Sequence, residues 1–132
     1  MSKTPIETTQ DVFTRFGAKD VPAILELMDE AVHIEFYGPE VIPYAGDYRG
    51  IEGARRFFET VLSSVEIHQF DAEQMLCDGD VVTVTGVLHL TALSTGRPIR
   101  SVFAHVITVK NGKWVRFRDF MNTAVAVEAF SR

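Results

Sequence analysis

The chain has 132 residues, 46% apolar and 23% charged, with a formal net charge of −5; these values suit one globular domain and exclude disorder. Its mild acidity argues against a nucleic-acid-binding module. No apolar h-region opens the sequence and no apolar run approaches membrane-spanning length, so a soluble, cytoplasmic protein with no membrane partner is expected.

In chain order, the first half reads helical. Thr4-Pro5 is an N-cap followed by proline at the first helical position, with Glu7 in the first turn. Val12, Phe13 and Phe16 make an apolar stripe at helical spacing that Gly17 closes. Asp20 caps a second helix with Pro22 in its first turn, and Ile24, Leu25, Leu27 and Met28 supply its buried face. Residues 31–37 alternate as a strand, with Val32, Ile34 and Phe36 on one face and His33, Glu35 and Tyr37 on the other. A long loop, Gly38 to Gly50, follows. A third helix from Ile51 to about Ser64 then buries Ala54, Phe57, Phe58 and Val61.

The second half is strand. Residues 65–77 turn at Asp78-Gly79-Asp80, residues 81–93 turn at Ser94 to Arg97, and residues 99–109 turn at Asn111-Gly112 into residues 113–122. Three helices before an antiparallel meander predict an α+β fold, a cone in which a curved, mainly antiparallel sheet wraps the helices around an internal pocket.

Two polar residues stand out in the last hairpin. Asp119 alternates with Val115, Phe117 and Met121, while Trp114, Arg116, Arg118 and Phe120 share the opposite face. A carboxylate among apolar side chains needs a partner or neutralises; the alternative is a rim aspartate paired with an arginine such as Arg100 or Arg118. His105 lies on the preceding strand. Its bland explanation is a core histidine satisfied by backbone. A bulged turn at Asn111-Gly112 sets His105 opposite Phe117 and Asp119 opposite Phe103, making the two polar groups diagonal neighbours on one face. An unbulged two-residue turn puts them on opposite faces. The bulged register is preferred because it groups Asp119, Val115 and Phe117 with Phe103 and Ile107.

Other candidates carry less. Tyr37 and Tyr44 flank the long loop, at the expected pocket mouth, and each could donate a phenolic hydrogen bond or simply pack. His33, His68 and His89 show no metal-ligand spacing, so no metal or cofactor is assigned. Nucleophile-elbow and phosphate-cradling glycine patterns are absent. The lone Cys77 reads as a small buried hydrophobe.

The run from Ile42 to Gly50 (Ile-Pro-Tyr-Ala-Gly-Asp-Tyr-Arg-Gly) and the run Arg116-Phe117-Arg118-Asp119-Phe120-Met121-Asn122-Thr123 are those of a known superfamily. The chain resembles the nuclear transport factor 2-like superfamily, and within it the SnoaL-like group that includes polyketide cyclases, from about Val12 to Phe130. That scaffold hosts isomerases, dehydratases, epoxide hydrolases, cyclases and non-catalytic binders, so the resemblance implies a fold and a pocket more than an activity. It implies His105 and Asp119 as the acid–base pair, in a pocket walled by Phe13, Phe36, Tyr37, Tyr44, Phe58, Phe103 and Met121. The implied chemistry is cofactor-free isomerisation, cyclisation or dehydration of a polycyclic or otherwise apolar carbonyl compound.

Departures narrow the field. Phe36 and Val12 stand where ketosteroid isomerases carry their aspartate base and oxyanion-hole tyrosine. The strand from Arg100 to His105 lacks the Arg-x-Asp pair of limonene epoxide hydrolases. Asn122 stands where SnoaL-like relatives often carry Asp. The resemblance also implies a homodimer through the outer sheet face, with Trp114, Arg116, Arg118 and Phe120 as the candidate surface. A non-catalytic small-molecule binder and a protein-interaction module are the alternative functions.

Overall fold

The computed structural model describes residues 3–132. The first helix, α1 (Pro5–Gly17), begins with a complete capping box: the Glu7 amide donates to Thr4 Oγ1 at 3.2 Å and the Thr4 amide donates to Glu7 Oε1 at 2.9 Å. Two orphan amides of the first turn are satisfied in this way. The second helix, α2 (Val21–Leu25), is shorter than its apolar pattern suggests. Asp20 caps it as expected, accepting from the Ala23 amide at 3.1 Å. Leu27 and Met28 do not belong to its buried face, because the chain has already turned and Met28 opens strand β1 (Met28–Phe36).

The loop expected between residues 38 and 50 contains a short strand, β2 (Gly46–Arg49), paired antiparallel with β1. Helix α3 (Gly50–Ser64) follows, then the long strands β3 (Val65–Asp78), β4 (Val81–Ala92), β5 (Pro98–Lys110) and β6 (Lys113–Met121). A final helix, α4 (Thr123–Phe130), has no counterpart among the sequence expectations. Apart from the exposed Glu128 its residues after Thr123 are all apolar, so no helical period separates a polar from an apolar face. It is held by tertiary contacts: the Thr95 hydroxyl donates to the Ala129 carbonyl at 2.5 Å and Arg97 donates to the Ser131 carbonyl at 2.8 Å.

The sheet order is β2-β1-β6-β5-β4-β3. Only the β1–β6 pair is parallel. The α+β cone is therefore the fold, with helices against the concave face of a curved sheet. Among the described residues no helix is long and apolar enough to cross a membrane. Edge strand β3 is mostly exposed, and Cys77 is exposed with it rather than buried. Its thiol lies 3.4 Å from the Gly79 carbonyl.

The β5–β6 register differs from the preferred expectation. Asn111 and Gly112 both have positive φ (53° and 72°), the signature of a tight two-residue turn that matches strand twist, and Lys110 pairs directly with Lys113. The bulge lies one step further on. Val109 pairs with Trp114 but Thr108 pairs with Arg116, leaving Val115 as the extra residue. Trp114 consequently faces inward, 1% exposed, with its indole N–H donating to Thr9 Oγ1 at 3.3 Å. It is a core residue and takes no part in the outer face.

Candidate functional site

Beyond the Val115 bulge, β5 and β6 run in even register, and His105 sits directly opposite Asp119 rather than diagonal to it. His105 Nε2 lies 3.3 Å from Asp119 Oδ1. The histidine is 3% exposed and ringed by aromatics, with Phe103 at 4.5 Å and Phe117 edge-on at 4.8 Å between ring centroids. Its Nδ1 is buried without a hydrogen-bond partner. Asp119 keeps 17% of its side chain exposed and neighbours Phe36 across the parallel β1–β6 pair.

A third polar group joins them from the segment before β2. Tyr44 is 3% exposed, and its hydroxyl is buried with no partner. Burial raises its pKa well above the ordinary tyrosine value, and the Asp119 charge adds to the effect, so the phenol stays protonated and is available as a donor. A backbone turn holds it in place, with the Ala45 amide donating to the Ile42 carbonyl and the Tyr48 hydroxyl donating to the Tyr44 carbonyl, both at 3.0 Å. Its ring packs edge-on against Phe36 at 5.0 Å and Phe130 at 5.8 Å. Helix α4 thus supports the tyrosine through Phe130.

His105, Asp119 and Tyr44 line one cavity of about 70 Å³. Phe13, Phe36, Phe58 and Met121 are among its walls. Two expected walls are not. Phe103 lies behind the lining, stacked on Phe70 at 4.6 Å. Tyr37 is on the outer face, where it stacks on Phe120 at 5.0 Å and donates to Glu35 Oε2 at 2.7 Å. It is the residue after Phe36, the last of β1, and the alternation of the strand carried one step further points it outward. A cavity of roughly 150 Å³ accommodates benzene, so a polycyclic ligand exceeds this chamber in the form seen here.

The other histidines lie apart from the site. His33 contacts Asp47 Oδ1 at 2.7 Å, and His68 and His89 pack together with ring centroids 4.7 Å apart. Among the described residues no group of three or more His, Cys, Asp or Glu side chains gathers in metal-binding geometry.

The model of the SnoaL-like domain matches residues 9–117. The chain belongs to the SnoaL-like domain family. Among curated proteins, the SnoaL-like chain is 29% identical to the uncharacterized protein YesE of Bacillus subtilis strain 168 over 130 residues, covering 94% of this chain and 85% of YesE. Among solved structures it superposes on a nuclear transport factor 2-like protein from Burkholderia xenovorans LB400 with a TM-score of 0.89 at 22% identity, covering 99% of this chain and all of that one. A protein of Pseudomonas putida KT2440, provisionally assigned as a polyketide cyclase, superposes with a TM-score of 0.82 at 19% identity, covering 98% of this chain and 100% of the other. At such identities these superpositions establish the SnoaL-like fold alone.

Several pocket residues escaped the sequence reading. Strict alternation puts Trp114 with Arg116 on the outer face, but the Val115 bulge breaks that alternation and Trp114 lines the cavity. Phe70 lines the cavity from a strand in which few residues are buried, so no alternation marks it. Its one available signal was its size among polar neighbours.

Proposed function

We propose that this SnoaL-like chain is a small-molecule enzyme that isomerises, cyclises or dehydrates an apolar carbonyl compound by acid–base chemistry without a cofactor. The observation that carries the reading is the approach of His105 to Asp119 at 3.3 Å in a cavity that also holds the unpartnered Tyr44 hydroxyl. Two ionisable groups in an apolar chamber cost free energy unless paired or used. The kinship with a provisionally assigned polyketide cyclase points the same way.

In this reading Asp119 removes the proton beside the substrate carbonyl. The electron pair of the broken C–H bond moves into the carbonyl system, and negative charge grows on its oxygen. The Tyr44 O–H, kept protonated by burial, donates to that oxygen, and a donor aimed at developing charge in a dry site lowers the barrier. His105 holds the carboxylate and shares the abstracted proton. That proton returns to another carbon in an isomerisation, to a departing hydroxyl in a dehydration, or, once the enolate carbon has bonded to a second carbonyl of the same molecule, to the alkoxide so formed in a cyclisation.

The test is a panel of apolar carbonyl compounds assayed by NMR for turnover. Asp119→Asn and His105→Ala should each lower turnover by roughly 10²-fold or more with the fold intact. Binding with no turnover of any member by the unmodified protein would favour a carrier instead.

A second copy of the chain on the outer sheet face is part of the proposal. With Trp114 withdrawn into the core, that face comprises Arg116, Arg118, Phe120, Tyr37 and Val102, the last 67% exposed. Arg116 is tied to Glu35 Oε1 at 2.8 Å, and the Arg118 guanidinium lies 5.7 Å from the Phe120 ring centre. Apolar rings and arginines flanking one another are the composition of interfaces. Sedimentation as a clean monomer at micromolar concentration counts against it.

A further inference from the structure

The site cavity has a neighbour. A second cavity, of about 220 Å³, lies between the end of α1 and β3, rimmed by the exposed Gly17, Lys19 and Ala72. The two share four lining residues, Phe13, Phe16, Ile67 and Phe70. The partition between the inner chamber and the surface vestibule is therefore a thin layer of side chains, most of it aromatic. Phe70 is its centre: it meets Phe13 edge-on at 5.8 Å, Phe16 at 5.7 Å and Phe103 in a stack at 4.6 Å.

Of these rings Phe70 has the least constrained backbone. Phe13 and Phe16 stand on the regular helix α1. Phe70 stands on β3, the edge strand of the sheet, bonded to a neighbour on one side only. Register shifts bracket it, one between Ile67 and Gln69 and one between Ala72 and Gln74, leaving His68 and Glu73 as extra residues. Bulges interrupt the ladder, and interrupted edge segments open locally at low cost. The plate behind Phe70 is by contrast fixed. Phe103 belongs to an interior strand and its ring edge lies over Gly86, where an added Cβ would come within 2.8 Å of it.

We propose that Phe70 is a movable partition joining the two cavities into one channel, and that the substrate is an extended carbonyl compound spanning it. Its reactive head lies against Asp119 and Tyr44, and its apolar tail runs past Phe16 and Ile67 to the vestibule. The inner chamber alone is smaller than the roughly 150 Å³ that seats a single benzene ring, so any larger ligand needs the vestibule. The substrate class rests on the acid–base reading above; the partition itself does not.

The experiment uses straight-chain methyl ketones from 2-butanone to 2-nonanone as probes, titrated by NMR into the full chain. In the unmodified protein the far methyl of bound 2-nonanone should show contacts to Ala72 and Lys19, with the carbonyl end against Met121. Contacts of the far methyl confined to inner-chamber residues, or to a different exit, overturn the proposal. Phe70→Ala should tighten 2-nonanone by about fourfold for each methylene newly seated and change 2-butanone by much less. Phe70→Leu, which keeps apolar bulk, should give a smaller change in the same direction. Equal effects on both ketones, or none, overturn it. Asp119→Asn serves as the separate arm, read as exchange of the ketone α-protons in D2O: if the length preference responds to Phe70 but Asp119→Asn retains the exchange rate of the parent, the partition stands and the acid–base reading falls. Should no ketone bind at all, both are overturned.

Discussion

His105 and Asp119 are direct cross-strand partners because Val115 occupies no place in the ladder. The two-residue turn at Asn111-Gly112 by itself would leave them on opposite faces. One extra residue between the turn and the site restores the match, while Trp114 keeps the inward face it shares with Val109. A single bulge therefore sets both the pocket floor and the catalytic candidates.

Deleting Val115 should be severely destabilising. Without the bulge, either Trp114 leaves the core or Phe117 and Asp119 leave the pocket. Losing a buried aromatic costs about 3–5 kcal/mol, so a chemical-denaturation midpoint should fall far below that of Val115→Ala, which keeps the residue count. Equal midpoints for the two variants would contradict the role assigned to the bulge.

Tyr44→Phe should separate stability from function. The hydroxyl it removes is buried and unpartnered, and leaving such a group unsatisfied costs about 1–3 kcal/mol. The variant should be as stable as the parent or more so by thermal melting. Turnover of the substrate found by screening should nevertheless fall by roughly 10²-fold or more, as for loss of an oxyanion donor. Destabilisation of the variant would mean that the hydroxyl has a structural partner.

The same tyrosine makes an alkaline contribution to stability. Burial, and then the Asp119 charge, raise its folded pKa above the unfolded value of 10.0. Above pH 10 the unfolded chain loses this proton while the folded chain retains it. Stability supplied by the raised pKa is thus complete below pH 10 and lost as pH climbs toward the folded value. Denaturation midpoints between pH 9 and 11 should fall less steeply in Tyr44→Phe than in the parent. Identical slopes would show that Tyr44 ionises normally.

Gly86→Ala should cost stability although glycine is a poor strand residue in general. A Cβ there would collide with the carbonyl oxygen of Asp71 and approach Phe103 Cζ to 2.8 Å. Backbone cannot yield as a side-chain tip can, so a loss of about 1–3 kcal/mol is expected, read as a lower urea midpoint. An unchanged midpoint would show that β3 has room to move away.

Much of this protein was legible in one dimension. The capping box at Thr4 and Glu7, the inward set Val32, Ile34 and Phe36, and the turns at Gly79 and Asn111-Gly112 are local events, dictated by neighbours within a few residues. The identity of His105 and Asp119 as polar groups among apolar ones was equally readable, and so was the resemblance that named the family. Only the tertiary structure decided how they meet. A bulge is a mismatch between two strands, and neither strand alone records it, so the faces of Trp114 and Asp119 could not both be read from alternation. Helix α4 is apolar except for Thr123 and Glu128 and declares itself only through β5, Arg97 and Tyr44 that receive it. The sequence offers Tyr44 as a donor or as packing, and only burial beside Phe36 and Phe130 decides that its hydroxyl is dry and unpartnered, because desolvation depends on chain segments nearly ninety residues apart.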